Sequence, residues 1–204
     1  MAPPMPKGKG DRSLQRRAGD TAERGTFAIV CEGKKTETTY FDGIRRKLRL
    51  STAKVFVEGL GADPLTVVKR AELYLNDFDQ AWAVFDVEAP QPHNSLHAAI
   101  DRAKAKGVHV AVSNPCFELW LLLHFHDQSA YLNNVQVTAR VKACPCGYDD
   151  KGFDFEAAWP HLTNAQQRAL ALATRQVRNH PQNIVDRNPW TSVHELMSFL
   201  APTE

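Results

Sequence analysis

The sequence predicts an α/β fold: a mostly parallel four-stranded sheet flanked by helices and continued by a C-terminal, mainly helical extension. Four short apolar runs carry this reading: FAIVC (27–31), KVFVEG (54–59), AWAVFDVE (81–88) and VHVAVS (108–113). Each has strand length, and their β-branched residues suit buried strands. Helical patterns separate them, the alternation that yields a parallel sheet covered on both faces. Beyond Ser113 the strand signal fades and helical patterns dominate.

The first 25 residues combine Pro, Gly and basic side chains without an apolar period, so they are expected to form a flexible basic arm. Order is expected from Thr26. After the first strand, EGKKTETTYFDGIRRKLRL begins with a glycine turn and becomes a basic helix with Tyr40, Phe41, Ile44 and Leu48 on its core side. In DPLTVVKRAELYL (63–75), Asp63 is placed to accept orphan helix N–H groups, and Pro64 suits the first helical position. NSLHAAIDRAKAKG (94–107) reads as a helix stopped by glycine. NPCFELWLLLHF (114–125) opens with a proline and continues as a very apolar helix, with Asn114 placed to cap it. Residues 127–155 read as a polar loop holding CPCGYDDKG, residues 164–178 as an alanine-rich helix, and Pro189 as the start of a last helix through Leu200. The core is thus expected over 26–126 and the helical extension over 127–204.

With 204 residues, 43% of them hydrophobic, the chain can build a sizeable core, which excludes global disorder. No apolar stretch approaches the roughly 20 residues that span a bilayer. Four cysteines, only two of them close in sequence, suit a reduced, cytoplasmic protein better than a disulfide scaffold. The net charge of +2 hides a division: residues 1–54 carry 13 Lys or Arg against 6 Asp or Glu, and the remainder is acidic. Such an arrangement can hold a polyanion near carboxylates that bind a metal, or reflect a solubilising arm and ordinary helix faces.

The acids decide where to look. Glu32 follows the first strand directly, while Asp86 and Glu88 close the third, and ligands of parallel α/β sheets bind at the carboxyl ends of strands. If strands one and three are neighbours, the three acids converge. Asp86 and Glu88 point to the same side if extension continues through Val87. Carboxylates so close repel unless a cation neutralises them, and hard oxygen ligands select Mg2+ or Mn2+. Gly33 allows a sharp turn or a close ligand approach, and Lys34 and Lys35 add positive charge where a helix start favours an anion. The spaced glycines of a P-loop are missing, so P-loop ATP hydrolysis is unsupported.

The blocks VCEGKKTETTYF (30–41), VFDVE (84–88), AVSNPCFELWLLLHF (111–125) and NPWTSVHEL (188–196) resemble the RloB-like family, a Toprim-related group of bacteria and archaea, over about residues 24–202. The resemblance implies a Toprim-like core whose strand-end glutamate and acidic pair bind Mg2+ during phosphodiester chemistry. Glu32 matches the glutamate and Asp86 the first acid of the pair; Glu88 stands where the usual pattern has a second aspartate. It also implies a nuclease of a two-component defence system linked to restriction or abortive infection, acting on DNA or RNA with an SMC-like or ABC-type ATPase encoded nearby.

Further positions are expected to support such a site. Glu118 could bind a metal-held water or favour the positive end of its helix. Glu37 could do the same or form a helix salt bridge, Asn114 could cap its helix or touch substrate, and Tyr148 and Lys151 could contact phosphate from their polar loop. The competing function is a non-catalytic subunit that keeps the fold and binds nucleic acid or the ATPase.

Overall fold

The computed structural model describes residues 25–201, apart from Ala53 and Pro181. The basic arm expected over 1–25 therefore lies outside the described residues, except for Gly25.

Four parallel strands form the sheet: β1 (Phe27–Cys31), β2 (Val55–Gly59), β3 (Gln80–Asp86) and β4 (His109–Asn114). Helices connect them: α1 (Thr36–Lys47), α2 (Pro64–Tyr74) and α3 (Leu96–Lys106). Asp63 caps α2 as its sequence predicts, its Oδ1 accepting from the Leu65 N–H at 3.1 Å with Pro64 in the first turn. Gly107 closes α3 in the left-handed conformation, φ 74°, which a residue without Cβ adopts at no steric cost.

A fifth strand corrects the four-stranded expectation. β5 (Trp190–Thr191) pairs antiparallel with the end of β4, so the sheet order is β2-β1-β3-β4-β5. It occupies the segment expected to open the last helix, which begins later, at Val193. Thr191 is drawn into the sheet by its register with Ser113, and the two hydroxyls lie 3.0 Å apart. The adjoining Ser192 hydroxyl accepts from the Val112 N–H at 2.9 Å.

The next helix, α4 (Glu118–Phe125), also starts later than expected, and Asn114 does not cap it. Asn114 is instead the buried last residue of β4: its amide donates to the Val185 carbonyl at 2.9 Å and accepts from Asn188 Nδ2 at 2.9 Å. Those bonds tie the sheet to residues 184–188 and leave no capping role. The remaining helices are α5 (Asn134–Lys142), the single turn α6 (Phe155–Ala158), α7 (Leu162–Asn179) and α8 (Val193–Leu200). Part of the segment read as a loop over 127–155 is thus α5, whose Asn133 and Gln136 form a reciprocal capping box.

Alternation along the strands divides the core. Ile29, Cys31, Trp82 and Val84 pack with α1, α4, α5, α7 and α8 on one face. Ala28, Val30, Ala83, Phe85 and Val112 pack with α2 and α3 on the other. Because α1 and α2 lie on opposite faces and lead to opposite sides of β1, the sheet has a topological switch point between β1 and β3. No helix of the described residues is long and apolar enough to cross a membrane.

Candidate functional site

The switch point carries the acids. β1 and β3 are neighbours, with Cys31 in register with Val84, so Glu32 leaves β1 beside the end of β3. Its Oε2 accepts the Asp86 backbone N–H at 3.1 Å. Its Oε1 lies 2.9 Å from His93 Nε2, close enough for an ion pair when the ring is protonated but poorly aligned as a hydrogen bond. Burial raises the Glu32 carboxyl above the usual range, an effect opposed by the Asp86 N–H and His93.

Asp86 keeps a small exposed surface and is otherwise packed in protein. Burial pushes its carboxyl well up, and the neighbouring charges of Glu37, Glu118, Glu32 and Glu88 push it further. Five carboxylates therefore share one electrostatic neighbourhood. Glu37 is buried, with its Oε1 accepting the Gly33 N–H at 3.0 Å, and burial raises its carboxyl. A Cβ on Gly33 would fall 2.1 Å from Glu37 Oε2, so any side chain there obliges the buried Glu37 carboxylate to move. That contact also means that the Gly33 N–H serves Glu37 and not a bound phosphate.

Glu118 is buried at the start of α4. Its Oε1 accepts the Tyr148 O–H at 2.6 Å, and Thr36 Oγ1, 3.3 Å away, divides its one proton between Glu118 and the Lys151 carbonyl at 3.0 Å. Tyr148 is itself buried, with its hydroxyl given to Glu118 rather than facing a ligand. Burial and that bond hold the phenol protonated.

Glu32 opens onto a cleft of about 490 Å3, whose lining also includes Gly33, Lys34, Lys35, His93 and Lys151. Lys35 Nζ pairs with Asp150 at 3.2 Å across exposed surface, and Lys34 runs past Gly61 on the opposite wall. The loop carrying Asp150 and Lys151 has left-handed backbone at both, φ 40° and 65°, and is closed by two reciprocal backbone bonds between Asp149 and Gly152. Of the five clustered acids Glu32 lines the cleft, together with the three lysines.

Glu88 departs from the expected geometry. β3 ends at Asp86, and Glu88 is left-handed, φ 69°, so extended backbone does not continue and the same-side argument fails. Its N–H donates to the Pro115 carbonyl at 2.9 Å, and its Oε2 accepts from Asn134 Nδ2. Glu88 stays near enough to raise Asp86 and Glu32, yet its side chain is committed to α5.

A family model described as RloB-like protein matches residues 27–200. The chain belongs to the RloB-like family. No curated protein and no solved structure matches it.

In this RloB-like protein, sequence reasoning passed over His93 and Asn134. Both stand on or beside loops where no periodicity marks them, and only the fold brings them to Glu32 and Glu88. The donor chemistry suits a hard divalent cation: the nearby acids are oxygen donors, and Asp86 is crowded by like charge that a cation would relieve. Among the described residues, no three His, Cys, Asp or Glu side chains are already disposed to hold one ion. Glu32, Glu37, Glu88 and Glu118 each accept a hydrogen bond from the protein.

Proposed function

We propose that the protein is a Mg2+-dependent nuclease or related phosphodiester enzyme, with a Toprim-like core, that acts with an SMC-like or ABC-type ATPase in a cytoplasmic defence system. One observation carries the reading: Glu32, bonded to the Asp86 backbone N–H at the switch point, lines one cleft with Lys34, Lys35 and Lys151. A carboxylate and three cations lining one cleft suit a phosphodiester whose charge must be attracted, then redistributed.

In this reading Lys34, Lys35 and Lys151 draw the nucleic-acid backbone into the cleft. Asp86 and Glu32 would hold Mg2+, or Mn2+ in its place, which when bound would supply Lewis-acid chemistry. The Asp86 N–H holds Glu32 Oε2, and His93 stands 2.9 Å from Oε1 as its counter-charge when protonated. Glu118, Tyr148 and Thr36 hold the loop that presents Lys151.

A second reading, a non-catalytic subunit that binds nucleic acid or the ATPase, is favoured by the commitment of Glu88 to Asn134. The two separate when wild type and Asp86→Ala are incubated with single- and double-stranded DNA and RNA, with Mg2+, Mn2+ or chelator, with and without the ATPase. Metal-dependent cleavage lost in the variant supports the enzyme. Binding without cleavage under every condition supports the subunit.

A further inference from the structure

Two helices packed on α4, α5 and α7, contain no Asp or Glu. Between α7 and the segment that leaves α4 lies an open groove of about 390 Å3, whose lining includes Leu123, Gln128, Arg168, Ala171, Leu172 and Arg175. It begins at the far end of α4 from Glu118 and shares no lining residue with the cleft that Glu32 lines. Arginines hold its outer wall: Arg168 donates to the Leu123 and His124 carbonyls at 2.8 and 3.0 Å, Arg175 to the Ser129 carbonyl, and Arg140 of α5 to Gln128 Oε1. The groove is therefore preformed. Neutral acceptors leave the cationic charge whole. The acid in the lining, Asp127, is paired with Arg168 at 2.8 Å, and among the described residues no carboxylate pairs with Arg140, Arg175 or the exposed Arg178. The same helix is apolar where it meets solvent. Leu170 and Val177 are 57% and 44% exposed, and with Thr174 they form one stripe of helical period beside the arginines.

We propose that this groove docks an acidic amphipathic helix of a partner protein, whose apolar residues seat on Leu123, Ala171 and Leu172 and whose carboxylates pair with Arg175 and Arg178. Charge complementarity sets the sign of the partner: an acid-free helix with uncompensated arginines attracts carboxylates and repels a second copy of itself. Arg168 and Arg175 stand two turns apart on one side of α7, about 10 Å along its axis, which matches residues one heptad apart on a facing helix. Leu170 and Val177 widen the apolar contact and offer nothing to a phosphate backbone. No aromatic side chain stands on α7 for a base to stack on, so the face suits protein rather than nucleic acid. This surface is separate from the cleft, and its role does not depend on whether the cleft is catalytic.

The probe is a labelled synthetic peptide of about 20 residues, long enough to form a helix alone, with leucine along one face and glutamate and alanine on the other. Its twin carries lysine for glutamate, and fluorescence anisotropy with the full chain reads both. The wild type should bind the glutamate peptide and not the lysine peptide. Arg175→Glu with Arg178→Glu should weaken the glutamate peptide by about tenfold or more and raise affinity for the lysine peptide by a similar factor, a swap that loss of structure does not produce. Arg175 also holds the Ser129 carbonyl, so a second variant, Leu170→Ser with Arg178→Glu, changes only exposed side chains with no hydrogen-bond partner among the described residues. It should weaken the glutamate peptide by about fivefold or more. Arg46→Glu with Arg49→Glu, exposed cations outside the groove, should change it by less than about twofold. Circular dichroism checks that each variant is folded. Absence of wild-type binding, equal binding of the two peptides, or an affinity that the Leu170 and Arg178 changes leave untouched overturns the docking surface. A loss of single-stranded oligonucleotide binding in these variants, with peptide binding unchanged, overturns it in favour of a nucleic-acid contact.

Discussion

Tyr148→Phe removes one oxygen and isolates one bond. The hydroxyl donates to Glu118 Oε1 at 2.6 Å, both residues are buried, and the ring needs no repacking when it becomes phenylalanine. A hydrogen bond to a carboxylate contributes about 1.5–3 kcal/mol, more than a neutral pair. Thr36 Oγ1, 3.3 Å from the same oxygen, can turn its proton fully toward Glu118 and recover part of that. A net loss of about 1–2 kcal/mol follows, or a Tm lower by roughly 2–8 °C for a chain of this length. Thermal unfolding by calorimetry at pH 7.5, with and without Mg2+, reads it directly. The same bond anchors the loop bearing Lys151, so affinity for a short oligonucleotide should fall in the same variant while the helical content stays constant. A Tm unchanged within 1 °C would refute the claim that Tyr148 secures this loop through Glu118.

Three other outcomes follow from the same geometry. Burial and neighbouring charges raise Asp86, so the metal-free native state keeps a proton that the unfolded chain has lost, and stability falls as pH climbs above the ordinary carboxylate range; Asp86→Asn should flatten that decline and stabilise the metal-free protein by about 1 kcal/mol at pH 8, read by urea titration across pH. Gly33→Ala puts a methyl against the Glu37 carboxylate and should destabilise by about 1–3 kcal/mol in the same titration, with Gly33→Ala in a Glu37→Ala background costing distinctly less. Replacing Lys34, Lys35 and Lys151 together by Ala should weaken oligonucleotide binding most at low salt and reduce the slope of log affinity against log salt by about 2–3, measured by fluorescence anisotropy.

The sheet was legible because its strands are buried on both faces and read as apolar runs, and because Asp63-Pro64 and Gly107 punctuate the helices chemically. β5 was not legible: two residues carry no period, and a proline followed by an apolar stripe has the pattern of a helix start. Asn114 had the right type and place for a cap, but β4 runs one residue further and gives its amide to residues 184–188. At the site, Glu32 and Asp86 could be placed because strand ends are fixed by the strands. Glu88 could not, since a single left-handed residue cancels the period of two on which its placement relied. His93 comes from a loop and Asn134 from the first residue of α5, and their partners lie 61 and 46 residues away in the chain, respectively, a proximity that no local pattern encodes.

The central claim is that Asp86 serves metal-dependent phosphodiester cleavage. The most direct measurement compares wild type and Asp86→Asn on one nucleic-acid substrate that the wild type cuts, at matched Mg2+, salt and ATPase, with both proteins shown folded by circular dichroism. The expected result is cleavage by the wild type that chelator abolishes, and none by Asp86→Asn. Cleavage that survives Asp86→Asn undiminished would contradict it.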